Sequence, residues 1–118
     1  MILLVDPDTI WKEIFIEKIS PPGIEVTHCS LGKRALDVFV KFPISVIVTE
    51  LDLPDMDGID LVKTIRLRHE LSSLPIVVLS KRQDRFSVEN CLNCGVNSYL
   101  NKFQSSDRDI ALVITGFV

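Results

Sequence analysis

Four polar side chains stand at or just past the ends of short aliphatic runs. Asp6 follows Ile2-Leu3-Leu4-Val5, Glu50 follows Ser45-Val46-Ile47-Val48-Thr49, Ser80 follows Ile76-Val77-Val78-Leu79, and Lys102 lies just beyond Ser98-Tyr99-Leu100. If these runs are parallel strands, the residue leaving each one lies at the sheet edge where open α/β proteins bind ligands. Two carboxylates, a hydroxyl and an ammonium would then converge, placing acceptor oxygens beside donors that can hold an anionic group.

Other reactive side chains carry less. Cys29, Cys91 and Cys94 are an odd number, which argues against a disulfide framework and for a reducing compartment. The Cys91-x-x-Cys94 pair has no second ligand pair for zinc. It also precedes Gly95, an expected helix C-terminus, where the helix dipole raises a thiol pKa. Asp57-Gly58 reads as a turn into a helix rather than a metal loop. His28 and His69 have no partner identifiable from sequence and are expected on the exposed surface.

Short Val- and Ile-rich runs alternate with segments of helical period, the pattern of a parallel sheet with crossover helices. The strands are expected at Ile2 to Val5, Glu25 to Cys29, Ser45 to Thr49, Ile76 to Leu79 and Ser98 to Leu100. A first helix over Pro7 to Ile19 would bury Ile10, Ile14, Phe15 and Ile19, with Asp6 as N-cap and Pro7 in the first helical position. A second, Leu31 to Phe42, would be capped by Ser30 and turn Ala35, Leu36, Phe39 and Phe42 inward. A third, after Gly58, would bury Ile59, Val62 and Ile65 and leave Lys63, Arg66 and Arg68 as a solvated face. A fourth spans Asp84 to Cys94 and closes at Gly95; Ser106 with Asp109 opens a fifth. Right-handed crossovers make this a flavodoxin-like, doubly wound, five-stranded parallel sheet of order 2-1-3-4-5.

With 118 residues, 47% of them hydrophobic, the chain suits one domain, 1–118, without an internal linker. A net charge of -3 offers no footprint for a nucleic-acid backbone. The longest apolar stretches fall short of the roughly 20 residues that span a bilayer. With no basic leader before Ile2, a soluble, cytoplasmic protein is expected.

The constellation of Asp6, Glu50, Ser80 and Lys102, with Leu53-Pro54-Asp55-Met56-Asp57-Gly58 after strand three and Gly95 to Lys102 around strand five, resembles the receiver domain of two-component response regulators. The resemblance covers almost the whole chain, in the family's order and spacing. It implies a phosphorelay function in which a strand-one acidic pair and an aspartate phosphoacceptor hold magnesium. A Ser and a Lys, here Ser80 and Lys102, would contact the phosphoryl group, and Tyr99 would match the switch aromatic. Phosphoryl transfer to a carboxylate needs charge neutralisation around three oxygens, which metal, ammonium and hydroxyl supply together.

The chain departs from that pattern where the chemistry is done. Glu50 stands in the phosphoacceptor's place, and its extra methylene moves the carboxylate by on the order of 1 Å, a displacement that can cost around a hundredfold in rate. The longer side chain can reach Lys102, weakly imitating an activated state. Pro7 replaces the second acidic residue, leaving Asp6 and Glu50 as a deficient magnesium pair; Asp8 sits within the first helical turn, where the dipole favours it. Lys81 replaces a small residue and would crowd the pocket mouth. Phe103 replaces a proline, so a trans bond after Lys102 is expected. Asp52, the remaining nearby aspartate, lies past the strand end in a turning loop.

These residues predict a pseudo-receiver, not an enzyme, that acts through protein–protein interaction with a sensor histidine kinase or other signalling protein and needs no cofactor. Two alternatives stay open: a working magnesium-dependent phosphoacceptor, and a flavodoxin-like cofactor binder, although Asp6-Pro7-Asp8-Thr9 would repel a phosphate. The last segment, Ile110 to Ile114 with Phe117 and Val118, is apolar around most of a helix. A homodimer through it, a partner or a downstream domain of a longer regulator would cover it, and a chain cut short would explain it equally.

Overall fold

The computed structural model describes residues 1–118 with the exception of the His69 side chain, so the expected exposure of His69 lies outside the described residues. Five strands, β1 (Ile2–Val5), β2 (Val26–Cys29), β3 (Val46–Thr49), β4 (Ile76–Ser80) and β5 (Ser98–Asn101), pair in parallel in the order β2-β1-β3-β4-β5. The helices between and after them are α1 (Thr9–Ile14), α2 (Gly32–Lys41), α3 (Gly58–Leu67), α4 (Arg85–Asn93) and α5 (Asp107–Thr115). The expected doubly wound architecture is the observed one.

Both faces of the sheet are covered, so its central strands are buried at every position and apolar up to their last residues, Thr49 in β3 and Ser80 in β4. Leu3, Val5, Ile47, Ile76 and Val78 face one core, closed by Ala35 of α2, Leu61, Val62 and Ile65 of α3, and Cys91 of α4. Ile2, Leu4, Val46, Val48, Val77 and Leu79 face the other, closed by Phe15, Ile19, Ile110 and Ile114. Leu61 adds to the buried stripe read from α3. Ala111, Val113 and Phe117 pack on the second core, so most of the apolar circumference of α5 is used within the chain. Leu112 and Val118 remain exposed.

Several local expectations are corrected. The first helix begins at Thr9, and its N-cap is Asp8, whose side chain accepts from the amides of Ile10 and Trp11. Pro7 thus precedes the helix, and Asp6 is not its cap. A π-helical turn over Phe15–Ile19 follows α1; Ile14, Phe15 and Ile19 pack on the core as expected, but Ile10 is 70% exposed and Trp11 packs there in its stead. At α2 the cap position is Leu31 rather than Ser30, with no side-chain bond. The free amides are satisfied from a distance: the Asp55 carboxylate accepts from Gly32 N at 2.9 Å and Lys33 N at 3.0 Å. Phe42 is exposed rather than inward.

Arg66 is no solvated cation. Its guanidinium donates to the carbonyls of Leu71, Ser72, Leu74 and Gly95 and to the Asn97 side chain, binding together the chain segments around β4 and β5. His28 is half-buried, and its Nε2 lies 2.8 Å from the Asp6 carbonyl; a carbonyl can only accept, so Nε2 carries the proton. Ser106 caps α5 through Asp109 N as expected, and Gly95 takes the left-handed conformation, φ 96°, after α4. Cys91 is buried and its thiol pushed up to about 11, first by burial, which leaves it a poor nucleophile at neutral pH.

Candidate functional site

Register places the polar residues. Val5 pairs with Thr49 and Ser80 with Asn101, so β1 and β3, and β4 and β5, end side by side. The ladder runs one step further on each side: Glu50 N donates to Val5 O at 2.9 Å, and Lys102 N to Ser80 O at 2.9 Å. Behind Glu50 the chain must turn sharply into α3. A Cβ on Gly58 would lie 2.6 Å from both Glu50 O and Leu51 Cα, so only glycine allows that approach.

Asp6, Glu50, Ser80 and Lys102 are all buried, at 4% exposure or less, and they converge. Lys102 Nζ lies 2.6 Å from Asp6 Oδ2 and 2.9 Å from Glu50 Oε2. Its third side faces the Trp11 ring, 5.1 Å from the centroid, a cation–π contact strengthened by burial of the ammonium. The Ser80 hydroxyl donates to Glu50 Oε1 and accepts from Arg82 N at 3.1 Å. Glu50 Oε1 also accepts from Leu51 N at 2.7 Å, and Oε2 from Lys81 N at 3.3 Å. Asp6 Oδ1 accepts from Asp8 N at 2.9 Å. Among the described residues no buried side-chain nitrogen or oxygen lacks a partner.

Two carboxylates share one ammonium, and the burden falls unequally. Burial pushes Asp6 up, and the bonds from Lys102 and the Asp8 amide do not fully offset it, so its carboxyl holds a proton more readily than usual. Burial acts on Glu50 in the same sense. There the Ser80 and Lys102 bonds, the Lys102 charge and the Leu51 amide outweigh it, and the carboxyl sits below its ordinary range. The two titrate as a coupled pair, with Glu50 the firmer anion.

The pocket mouth is bridged by a residue that sequence reasoning did not single out. Arg82 reaches across it, with Nε 2.8 Å from Asp52 Oδ1 and Nη2 3.2 Å from Asp57 Oδ2. Asp57 also caps α3 through Ile59 N, the helix-turn role expected of it. The Tyr99 hydroxyl donates to Arg82 O at 2.6 Å, joined there by Asn101 Nδ2 at 3.3 Å. Lys81 sends only its amide inward, and its side chain is exposed instead of crowding the mouth. Phe103 is 71% exposed after a trans bond. The signal for Arg82 was a cation two residues past Ser80 facing a loop with three aspartates. Trp11 carried none, because sequence spacing put Ile10 on the inward side of the first turn.

The residues do not fit a magnesium ion. Pro7 has no side-chain oxygen to offer, Asp8 is spent on its helix, and the nearest oxygens of Asp6 and Glu50 both face an ammonium. With Lys102 in place all four carboxylate oxygens of Asp6 and Glu50 are engaged, and none is left to begin the near-ideal octahedral oxygen ligation that magnesium demands. No group of three or more His, Cys, Asp or Glu among the described residues could hold a metal.

Residues 2–114 match the response regulator receiver domain family. The chain is 31% identical over 102 residues to the chemotaxis protein CheY-3 of Vibrio cholerae, covering 86% of this chain and 78% of that one. It is 29% identical over 102 residues to the two-component response regulator ORR7 of Oryza sativa subsp. japonica, covering 86% of this chain but 49% of the rice protein, so it spans about half of that relative's length. A putative response regulator from Chloroflexus aurantiacus has a similar structure, with a TM-score of 0.88 at 25% identity over 98% of this chain and 94% of that one. CheY4 of Vibrio cholerae gives 0.87 at 20% identity over 99% and 97%, a likeness of fold. No helix among the described residues is long and apolar enough to cross a membrane.

Proposed function

Because the chain belongs to the response regulator receiver family, we propose that it serves two-component signalling as a pseudo-receiver, acting by protein–protein interaction rather than by accepting a phosphoryl group. One observation carries this reading: the donors that would receive the phosphoryl oxygens are already taken by Glu50 itself. Ser80 Oγ bonds its Oε1, while Lys81 N and Lys102 Nζ bond its Oε2. A nucleophilic carboxylate must present a free oxygen in line with its donor. This one is 1% exposed, with both oxygens engaged.

The arrangement also gives the pocket a lasting negative charge beside Ser80 and Lys102. It is a weak, permanent version of what phosphorylation confers, one charge where a phosphorylated residue carries closer to two. A partner, a sensor histidine kinase or another signalling protein, would then read a conformation that does not wait for phosphate. The domain needs no catalytic turnover and no nucleic-acid contact in this role. Cytoplasmic residence belongs to the same reading, on the strength of an odd number of free cysteines.

Intact-protein mass after incubation with acetyl phosphate, with and without magnesium, tests the proposal. The native chain should gain no phosphoryl group, and a gain in Glu50→Asp alone would trace the loss to one methylene. A magnesium-dependent adduct on the native chain overturns the reading in favour of a working phosphoacceptor.

A further inference from the structure

We propose that the Lys102 ammonium is the resident cation of this pocket, holding the place between Asp6 and Glu50 that a hard divalent ion would take, so that loss of Lys102 converts a metal-excluding site into a metal-binding one. The inference rests on the pseudo-receiver reading and explains it at the level of charge. Nζ sits between two carboxylate oxygens at 2.6 and 2.9 Å. A divalent ion bridging those oxygens at about 2.0–2.6 Å would need the same volume. It would also meet a positive charge within contact distance, in a pocket where water screens little.

The remaining directions are closed as well. Trp11 covers the ammonium, Asp6 Oδ1 is held by Asp8 N, and Glu50 Oε1 is held by Ser80 and Leu51 N. Two carboxylates and one ammonium leave the cluster one negative charge. Without Lys102 it would carry two, the charge that one divalent ion balances.

The position of Trp11 makes the test local. It is the chain's only tryptophan, and its ring lies over the cation position. A paramagnetic divalent ion bound between Asp6 and Glu50 would therefore quench its fluorescence, whereas one bound to distant surface acids would not. Manganese(II) is titrated into the native chain and into Lys102→Met, which keeps a long apolar stem but no charge, with no phosphodonor present. The native chain should show no saturable quenching. Lys102→Met should show it, with an affinity gain of at least roughly tenfold, the scale on which a metal-site partner acts, and Asp6→Asn in the same background should abolish it.

Saturable quenching in the native chain, or its absence in a folded Lys102→Met, overturns the inference. Lys102→Met leaves two buried carboxylates unpaired and can unfold, so the native titration stands as an independent test. Quenching in the native chain without any mass adduct from acetyl phosphate defeats this inference and leaves the pseudo-receiver reading standing, while a magnesium-dependent adduct defeats that reading itself.

Discussion

The hydroxyl of Tyr99 donates a 2.6 Å hydrogen bond to the carbonyl of Arg82, tying β5 to the loop that leaves β4. The same Arg82 sends its amide to Ser80 Oγ and its guanidinium to Asp52 and Asp57. One residue thus couples the buried pocket, the aromatic ring beside it and the acidic loop across the mouth. Any rearrangement of Tyr99 has to break a bond inside that unit.

Tyr99→Phe removes the bond and keeps the ring packed on the core. The loss should be about 1 kcal/mol, typical of a neutral hydrogen bond, and should lower the Tm by about 4 °C for a domain of this size. Thermal unfolding reads it directly. An unchanged Tm would mean that the loop after β4 is not held through Tyr99.

The buried charges should lose stability in a definite order. Lys102→Met strips both carboxylates of their cation and should cost about 3–5 kcal/mol, as removal of one member of a buried pair does. Glu50→Gln and Asp6→Asn each leave Lys102 one partner at under 3 Å. Each should cost less, about 2 kcal/mol, the scale of a hydrogen bond to a charged group. Urea midpoints at constant slope give the ranking. Equal losses in all three would remove Lys102 from the centre of the cluster.

Acid should act on Asp6 and Glu50 in opposite senses. Glu50 is held below its ordinary 4.5, so its contribution is present above that value and is lost as pH falls through the folded pKa. Asp6 is raised above 3.8, so its contribution is present below that value and is lost as pH rises through the folded pKa. In the native chain the second effect softens the first. Stability measured between neutral pH and about pH 3, a span that covers the ordinary carboxylate values, should therefore fall more steeply in Asp6→Asn than in the native protein. A shallower fall would reverse the assignment of the firmer anion to Glu50.

Asp55→Ala should free the start of α2 without touching the pocket. The Gly32 and Lys33 amides donate to this carboxylate, and those bonds, Lys33 foremost, hold Asp55 below its usual range. Hydrogen exchange at these two amides should speed up while exchange in β1 and β3 stays unchanged. Unchanged protection at Gly32 would mean that α2 is capped by other means.

The sequence by itself determined the alternation of strand and helix, the sheet order and the identity of the residue leaving each strand. Those follow from apolar period, turn residues and the handedness of crossovers, all short-range or topological rules. It also placed Asp6, Glu50, Ser80 and Lys102 at one edge, because parallel strands of similar length end together.

Tertiary structure decided how those groups are paired. Asp6 reads locally as a helix cap, yet Asp8 takes that role and leaves Asp6 Oδ2 for Lys102, 96 residues away. Arg66 reads as a surface cation and instead gathers carbonyls from the two chain segments that lead into β4 and β5. Trp11 faces Lys102 because it, and not Ile10, is the residue of the first turn of α1 that turns inward. In each case several satisfactory partners lie close in sequence, and burial chooses among them: a polar group shut away from water must take whichever donor or acceptor the packed core brings within reach.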